Sequence, residues 1–451
     1  MASALFYYEE EDPDIREIVE RMQELYISQP KETQMKKENT GTKEEVLGDK
    51  LVPICRLVDD LVKCNEDSRC LDDEIIRRGR ALEEIMLSHE ENLIRENEFL
   101  FLLKIGQLYS MTKKDKKPAI DALSRVVEKY PNVAPAWDAL ADCYWEVKDY
   151  DKAKWCLENS LQQGRRKVPL RNMSVICRKL ANKYPDRKPI FLQTGLNLAK
   201  EAVDKDIKDG VSWGILGNAY LSAHLKLKKD MKCAKLALSA FKQSVTLGNT
   251  FTAALYFHQG YIYTFCENYK EALTSLDNAI ALRKVREQAI KFRNVLLLFL
   301  NNIQNLCSCY GKLNPKRLSK LQKELQKLEI ASLAKSLEAE PTSVGSLQLG
   351  ENPKMFVCGK VIWSFRKEEF LPFACGCIEA NGEVFVITVY NLTPGKKIFV
   401  GDTITIPILD YKTVCFEYKD QFFEFQSLRV DNPTVLLVNQ ERLTQDYFTQ
   451  Q

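Results

Sequence analysis

The chain has 451 residues, 45% of them hydrophobic and 28% charged, with a formal net charge of +3 and a pI near 8.1. This length accommodates about two or three domains, and the composition excludes fibrous, low-complexity and membrane-embedded classes. So small a net charge does not by itself indicate nucleic-acid binding, so the partner has to be inferred from local patterns.

No targeting or catalytic motif stands out. The first ten residues, MASALFYYEE, lack a basic region followed by an apolar run, which predicts no secretory signal. The longest apolar run, residues 295–300, is far shorter than the roughly 20 residues that a membrane-spanning helix needs. The sequence has no phosphate-binding glycine loop and no nucleophile elbow, so we expect no enzyme activity, no cofactor and no membrane partner.

The 14 cysteines include no Cys-x-x-Cys motif, and only three histidines accompany them. Mostly buried, reduced thiols are therefore expected, without a metal site.

The amino-terminal region divides into two stretches. Residues 12–28 have apolar positions at helical spacing, whereas 29–49 lose all periodicity and are rich in Lys, Glu, Thr and Gly. We therefore predict a helix and a flexible linker in residues 1–50. Helical patterning resumes at residue 51 and predicts, for 51–98, helices that pack on the region that follows.

A repeat pattern occupies the centre of the chain. Trp213, Leu216-Gly217 and Tyr220, continued by Ala237 and Phe241, have the spacing of a tetratricopeptide repeat, in which two antiparallel helices stack on the next pair. Related patterns recur four more times, so we predict a solenoid of about five repeats over 99–284. Its small residues let the two helices of a repeat approach closely, and Trp213, Tyr220 and Phe241 are predicted core residues.

The pattern changes twice after the repeats. Residues 285–340 predict capping and linking helices, including a basic amphipathic helix from Asn314 for which a membrane or partner surface is the less favoured alternative. Residues 341–353 are rich in Gly, Ser and Pro and predict a linker. From 354 to 440 the period is 2, as in Met355–Phe365 and 383–390, with Asn381-Gly382 as a turn.

About six strands in so short a stretch suit a small closed barrel such as an OB-fold. Residues 441–451 are predicted to form a carboxy-terminal tail that follows the barrel. The predicted fold class is therefore α+β multidomain: an all-α repeat solenoid followed by an all-β, OB-fold-like barrel.

Several sequence blocks resemble one known family. They are Trp213–Ser222, Lys167–Ser174, Gly359–Ile362, Val389–Asn391 and Ile398-x-x-Gly401-Asp402. Over roughly residues 95–440 the chain resembles the tetratricopeptide repeat protein five family, also called the stress-responsive co-activator Strap, as a divergent member. The resemblance implies a non-enzymatic adaptor or scaffold in the cytoplasm and nucleus. Its implied partners are transcription co-activator complexes of the DNA damage response, actin regulators, and nascent tubulin on the ribosome, whose recognition leads to tubulin mRNA decay.

The concave face of such a solenoid is lined by the first helix of each repeat and can hold an extended peptide. The predicted groove residues are Asp138, Asp142, Trp145, Arg178, Asn218 and Tyr261. A tubulin terminus beginning Met-Arg-Glu needs a base, for which Arg178 is the candidate, and an acid, for which Asp138 or Asp142 is the candidate. The alternative role of Arg178 is to form an ion pair between repeats. The alternative role of Asn218 is to cap backbone groups between repeats.

The second hypothesis is a nuclear co-activator whose barrel contacts DNA or chromatin. OB-folds stack bases on aromatic residues, and Trp363, Phe365, Phe373 and Tyr390 are candidates. However, Trp363 and Phe365 share an alternating face with apolar residues, which favours a core role. The nearby cations Arg366, Lys367, Lys396 and Lys397 form no continuous basic track, so a protein-docking barrel is preferred.

Basic clusters at 113–117, 165–167 and 226–229 are interpreted as solvated loops and helix ends. Contact with the phosphates of an RNA-rich surface is the alternative.

Overall fold

A computed structural model describes residues 51–448, except for 67–71, 113–114, 228–230, 249–251, 283–284, 311–312, 366–370, 394, 397 and 408. The predicted helix and linker of residues 1–50 lie outside the described residues. So do parts of the basic clusters at 113–117 and 226–229 and the cations Arg366, Lys367 and Lys397.

The helices follow one another from residue 51 to residue 337. They are α1 (Leu51–Glu66), α2 (Asp72–Ser88), α3 (Glu90–Thr112), α4 (Lys117–Lys129), α5 (Ala134–Glu146), α6 (Tyr150–Gln163), α7 (Lys167–Lys183), α8 (Lys188–Lys205), α9 (Gly210–Lys226), α10 (Met231–Thr246), α11 (Thr252–Phe265), α12 (Tyr269–Ala281), α13 (Arg286–Ser308), α14 (Pro315–Gln326) and α15 (Ile330–Leu337). None of these helices is long and apolar enough to cross a membrane.

The chain divides into two compact units, and the division passes through α9 and α10. The first unit runs to Ala219 and includes the stretch from Gln243 to the end of α10. The second comprises Tyr220–Lys242 and the chain from α11 onward.

In the first unit, consecutive helices pair and stack. The pairs α3–α4, α5–α6 and α7–α8 share a core that includes Leu123, Leu140 and Leu157. Gly106 illustrates why small residues recur, because a Cβ at this position would lie 2.7 Å from Cγ of Leu123 on the partner helix. The glycine is therefore what allows α3 and α4 to touch.

A separate core lies before the first pair. Helices α1, α2 and α3 bury Val58, Met86, Leu93 and Leu108 together. Helix α3 is interrupted at Asn97, where φ is −161° and ψ is 93°, and the Asn97 side chain accepts a hydrogen bond from the backbone N–H of Leu100 at 3.0 Å. This break separates the preceding helical stretch from the first repeat helix, whose pattern begins near residue 99.

In the second unit, α11 and α12 repeat the same arrangement. A Cβ at Gly260 would lie 2.8 Å from Cγ of Leu276, so a glycine is again needed at the helix crossing. Helix α13 then packs against α12 and, on its other side, against the barrel.

The barrel strands are β1 (Glu340–Pro341), β2 (Gly350–Asn352), β3 (Met355–Phe365), β4 (Phe373–Ile378), β5 (Val384–Val389), β6 (Thr403–Ile406), β7 (Leu409–Tyr418), β8 (Gln421–Val430), β9 (Leu437–Val438) and β10 (Glu441–Arg442). The order β6-β3-β4-β5-β8-β7 is antiparallel except for the parallel pair β5–β8. This order continues at both ends, because β9 pairs with β6 and β2 pairs with β7. The inward face buries residues such as Val361, Phe385, Ile387 and Leu428.

The predicted fold class is confirmed: a tetratricopeptide solenoid precedes a small all-β barrel. One prediction in detail differs from the structure. Of the predicted core residues, Phe241 is fully buried, but Trp213 and Tyr220 are only half-buried. The indole N–H of Trp213 donates to the carbonyl of Ile207 at 2.8 Å, which holds this ring at the edge of its helix.

Candidate peptide-binding groove

A groove with a cavity of about 640 Å³ lies in the first unit. Its lining comes from α2, the end of α3, and the first helices of three successive repeats: Ile75, Ile76, Ser110, Met111, Lys116, Asp142, Trp145, Glu146, Val168, Arg171, Asn172, Val211 and Ile215. The volume lies within the range of ligand sites, and the mixture of apolar, aromatic and charged side chains is typical of a surface that holds a peptide.

Two of the predicted groove residues line this cavity. Asp142 is exposed, and its carboxylate accepts a hydrogen bond from the Asn172 amide at 3.3 Å. Trp145 is half-buried, with Nζ of Lys179 5.7 Å from its ring centroid. With the exposed Glu146 beside them, these residues form an acidic and aromatic wall that suits a cationic or apolar ligand group.

Two polar lining residues on α7, Arg171 and Asn172, were not predicted from the sequence. Arg171 is 4% exposed and pairs with Asp209 at 3.0 Å, while Asp209 also accepts from the Ser212 hydroxyl at 2.5 Å. Asn172 is the hydrogen-bond donor to Asp142. The signal was present in the sequence, since a charged residue and an amide interrupt the apolar stripe of this helix.

Asp138 does not lie in the groove, which corrects its prediction as a ligand-binding acid. The residue is buried, and its carboxylate accepts from the Ser160 hydroxyl at 2.5 Å and from the Arg166 guanidinium at 2.7 Å. Burial raises the pKa of Asp138, and these two hydrogen bonds oppose the rise. Asp138 therefore has a structural role, because its hydrogen bonds connect α5 with α6 and with the start of α7.

Arg178 is a half-buried cation for which the described residues supply no counter-charge. Its Nε is fully buried, and no described residue accepts a hydrogen bond from it or forms an ion pair with it. Burial lowers the pKa of the guanidinium to about 10, and the only other influence on it is the neighbouring Cys177 thiol. The alternative role of an inter-repeat ion pair thus finds no partner in the described part of the chain. Arg178 does not line the cavity of the groove.

Asn218, on α9, has a comparable property. It is half-buried, and its Oδ1 is fully buried yet accepts no hydrogen bond from any described residue. A buried acceptor without a donor costs stability, commonly about 1–3 kcal/mol. The expected capping of backbone groups by this oxygen is not seen.

Tyr261 belongs to the second unit. Its ring centroid lies 6.2 Å from that of Phe292 on α13, and burial raises the pKa of its hydroxyl to about 12. Thr264, three residues further along α11, is buried and donates to the Gly260 carbonyl at 2.8 Å.

The aromatic residues of the barrel that were candidates for stacking bases are covered. Trp363 is 3% exposed, and Phe365 packs edge-on against Phe299 of α13 at 5.5 Å. Tyr390 lies against the Arg429 guanidinium at 3.8 Å, and Phe373 faces the barrel interior. The core interpretation of Trp363 is therefore confirmed.

The chain consists of stacked helix pairs that form a groove, followed by a small all-β barrel. This architecture defines a tetratricopeptide-repeat protein with an OB-fold domain. Family comparison agrees: residues 338–451 match the tetratricopeptide repeat protein 5 OB fold domain, and 101–132, 134–162 and 253–285 match tetratricopeptide repeats.

Relatives named tetratricopeptide repeat protein 5 match most of the chain. The protein from Bos taurus is 28% identical over 421 residues, which covers 88% of this chain and 95% of the relative. The protein from Mus musculus is 29% identical over 401 residues, covering 84% and 91% respectively. The predicted resemblance is confirmed: over most of its length the chain is similar to tetratricopeptide repeat protein 5.

Among solved structures, the chain is similar to YrrB, described as a tetratricopeptide-repeat protein with an unusual peptide-binding site. The identity is 19% and the TM-score 0.35, with 45% of this chain and 97% of that chain covered. A TM-score this low supports no further inference.

Proposed function

We propose that this protein is a peptide-reading adaptor, whose solenoid groove holds a short extended segment of a partner protein and whose barrel serves as a docking domain. The observation that carries the proposal is Arg178, a half-buried guanidinium with a fully buried Nε, for which the described residues supply no acid. A partly desolvated charge without a partner costs stability, and a ligand carboxylate would offset that cost.

The groove and the helices that line it indicate what such a segment carries. Outside the cavity, a carboxylate of the segment would pair with Arg178 on α7, and a hydrogen-bond donor would satisfy Oδ1 of Asn218 on α9. A cationic or long apolar side chain would lie against Asp142, Glu146 and Trp145. The proposed ligand therefore combines acidic and basic residues in a short stretch.

A tubulin amino terminus beginning Met-Arg-Glu has this composition, and we propose it as the first ligand to test. Its Glu would pair with Arg178, and its Arg with Asp142, since Asp138 is engaged by Arg166. As an adaptor of this kind, the protein would act on nascent tubulin in the cytoplasm and on co-activator complexes or actin regulators in the cytoplasm and nucleus.

Contact of the barrel with DNA or chromatin is the less favoured function. The face that OB-folds commonly present to nucleic acid is formed by their second and third strands, which here are β4 and β5. Ala374, Ile378 and Val386 on these strands are buried in the core shared with α13. We therefore propose protein docking for the barrel.

The test is fluorescence polarisation with a labelled peptide that begins Met-Arg-Glu, using the full chain. We expect Arg178→Gln to weaken binding by about tenfold or more, because a charge-assisted hydrogen bond contributes roughly 1.5–3 kcal/mol. The circular dichroism spectrum should be unchanged, since the variant removes an uncompensated buried charge.

Arg187→Gln, which makes the same change at an exposed residue, is the matched control and should bind like the parent chain. Replacing the Glu of the peptide by Gln should weaken binding to the parent much more than to Arg178→Gln. Absence of binding to the parent chain removes the tubulin version of the proposal.

A further inference from the structure

A second cavity, of about 300 Å³, lies at the side of the barrel, apart from the groove. One wall is apolar and comes from the end of α14 and the start of α15, with Leu325, Leu328 and Ile330. The opposite wall includes Phe356 and Cys358 of β3 and Glu379, which follows β4. This volume is at the lower limit for a small-molecule site, so it suits a single side chain or a small ligand.

Glu379 is the unusual member of this wall. Its side chain is almost fully buried, with 5% of the residue exposed, although acidic residues are rarely buried without a cationic partner. One oxygen accepts from the Val344 backbone N–H at 3.1 Å, and the other accepts from the Asn381 amide at 3.3 Å. Both donors are neutral, so the carboxylate has no counter-charge from them.

The surroundings of Glu379 add a second negative charge. Glu383, at the start of the next strand, accepts from the same Asn381 amide at 3.0 Å. From β3, the Cys358 thiol faces Glu379, and its sulfur lies 3.3 Å from the Thr405 hydroxyl. Lys360, also on β3, is instead held by Glu324 at 3.1 Å and by the Gly401 carbonyl at 3.0 Å.

None of the described residues that line this cavity is Lys, Arg or His. Burial, together with the nearby exposed Glu383 carboxylate, raises the pKa of Glu379 to about 7. A cavity with an apolar wall thus ends at the carboxyl group of Glu379, which has no cation beside it among the lining residues.

We propose that this cavity binds a primary ammonium group on an unbranched aliphatic arm, the chemistry of a lysine side chain or a free alkylamine. The methylene groups would lie against Leu325, Leu328 and Ile330, removing apolar surface from water. The ammonium would lie against the Glu379 carboxylate, at the end of the cavity, and supply the counter-charge that this group lacks. This inference does not depend on the proposed function of the groove.

Binding of such a cation is linked to the ionisation of Glu379. Below pH 7 the carboxyl carries a proton that the cation has to displace, whereas above pH 7 it is already ionised. An alkylammonium has a pKa near 10, so its own charge does not change in this range. Affinity should therefore rise with pH, by about tenfold between pH 6 and pH 8 for a pKa of about 7.

The experiment is isothermal titration calorimetry of the full chain with n-butylamine at pH 6 and at pH 8, with n-butanol as the neutral probe of the same length. We expect saturable binding of the amine that strengthens about tenfold at the higher pH. Butanol should bind more weakly and equally at both pH values. The proposal is overturned if butanol matches the amine or if amine binding is independent of pH.

Two variants make the assignment specific. Glu379→Gln keeps an acceptor for the Val344 N–H and should weaken amine binding by about tenfold at pH 8, with loss of its pH dependence. Glu383→Gln should move the pH dependence to lower pH, because the Glu383 carboxylate helps to raise the pKa of Glu379. Amine binding by Glu379→Gln that equals binding by the parent chain would exclude the site.

Competition by the tripeptide acetyl-Gly-Lys-Gly-amide distinguishes the source of the ammonium group. Displacement of n-butylamine by this peptide assigns the cavity to a lysine side chain of a partner protein. Binding of n-butylamine without competition by the peptide assigns it to a free alkylamine.

Discussion

The indole of Trp363 illustrates how single residues determine the packing of the barrel. A Cβ at Gly376, on the neighbouring strand, would lie 2.1 Å from Nε1 of Trp363, so the ring rests directly on the glycine backbone. The register of β3 against β4 shifts between Val361 and Trp363, which places the ring there. Nε1 of Trp363 is buried and has no hydrogen-bond partner among the described residues, so the contact is one of packing alone.

We predict that Gly376→Ala destabilises the protein by about 1–3 kcal/mol, the typical cost of overpacking a filled core. The measurement is equilibrium unfolding in urea, followed by circular dichroism. In the Trp363→Leu background the same Gly376→Ala change should cost clearly less, because the atom that the Cβ meets is gone. Equal costs in the two backgrounds would show that the Trp363 contact is not the cause.

At the scale of elements, the turn between α11 and α12 is held against the barrel by a buried polar cluster. Glu267, at φ 60°, accepts from the Thr388 hydroxyl at 2.5 Å and from the Tyr390 hydroxyl at 3.2 Å. The Arg429 guanidinium of β8 stacks on Tyr390, donates to the Phe265 carbonyl at 2.5 Å and lies 4.0 Å from Glu267. The cluster joins the last helix pair of the second unit to strands β5 and β8.

We predict that Arg429→Met destabilises the protein by about 3–5 kcal/mol, because it breaks a buried network and leaves Glu267 with Lys412 as its remaining cation. Urea unfolding again measures the change. Lys419→Met is the matched control: Lys419 pairs with Asp277 at 2.8 Å, but its side chain is 59% exposed. The control should cost less than about 1 kcal/mol, since exposed ion pairs contribute little. A similar cost for both variants would contradict the role assigned to Arg429.

At the scale of the whole molecule, the second unit buries the outer face of its barrel beneath its own helices. The apolar residues of this face include Ile362, Val386, Val414, Phe416 and Phe425, which pack with Phe292, Leu296, Phe299 and Ile303 of α13. An OB-fold domain separated from α13 would expose this surface to water. The barrel and α13 therefore depend on each other for stability.

We predict that a fragment of residues 338–451 binds a hydrophobic dye and aggregates, whereas a fragment of residues 252–451 does neither. The physical reason is the apolar face that only the longer fragment covers. Dye fluorescence and size-exclusion chromatography at equal concentrations compare the two. A short fragment that stays monomeric, without dye binding, would show that the barrel is stable without α13.

Much of the fold could be predicted because its signals are local. Gly106 and Gly260 occur where two helices cross, and the change of period after residue 353 marks the start of the strands. The same signals could not distinguish Asp138 from Asp142, which are one helical turn apart on α5. Asp138 is buried by Ser160 and Arg166, which come from other elements, while Asp142 stays exposed in the groove.

The amino-acid sequence by itself determined the repeat solenoid, the barrel and the relationship to tetratricopeptide repeat protein 5, because spacing and alternation are properties of neighbouring residues. Only the tertiary structure decided which polar groups have partners. Among the described residues Arg178 has no counter-charge, and Glu379 lines a cavity with one apolar wall and lies near a second carboxylate. Burial and charge pairing depend on atoms from distant parts of the chain that meet only when the protein folds, and for this reason the candidate sites required the structure.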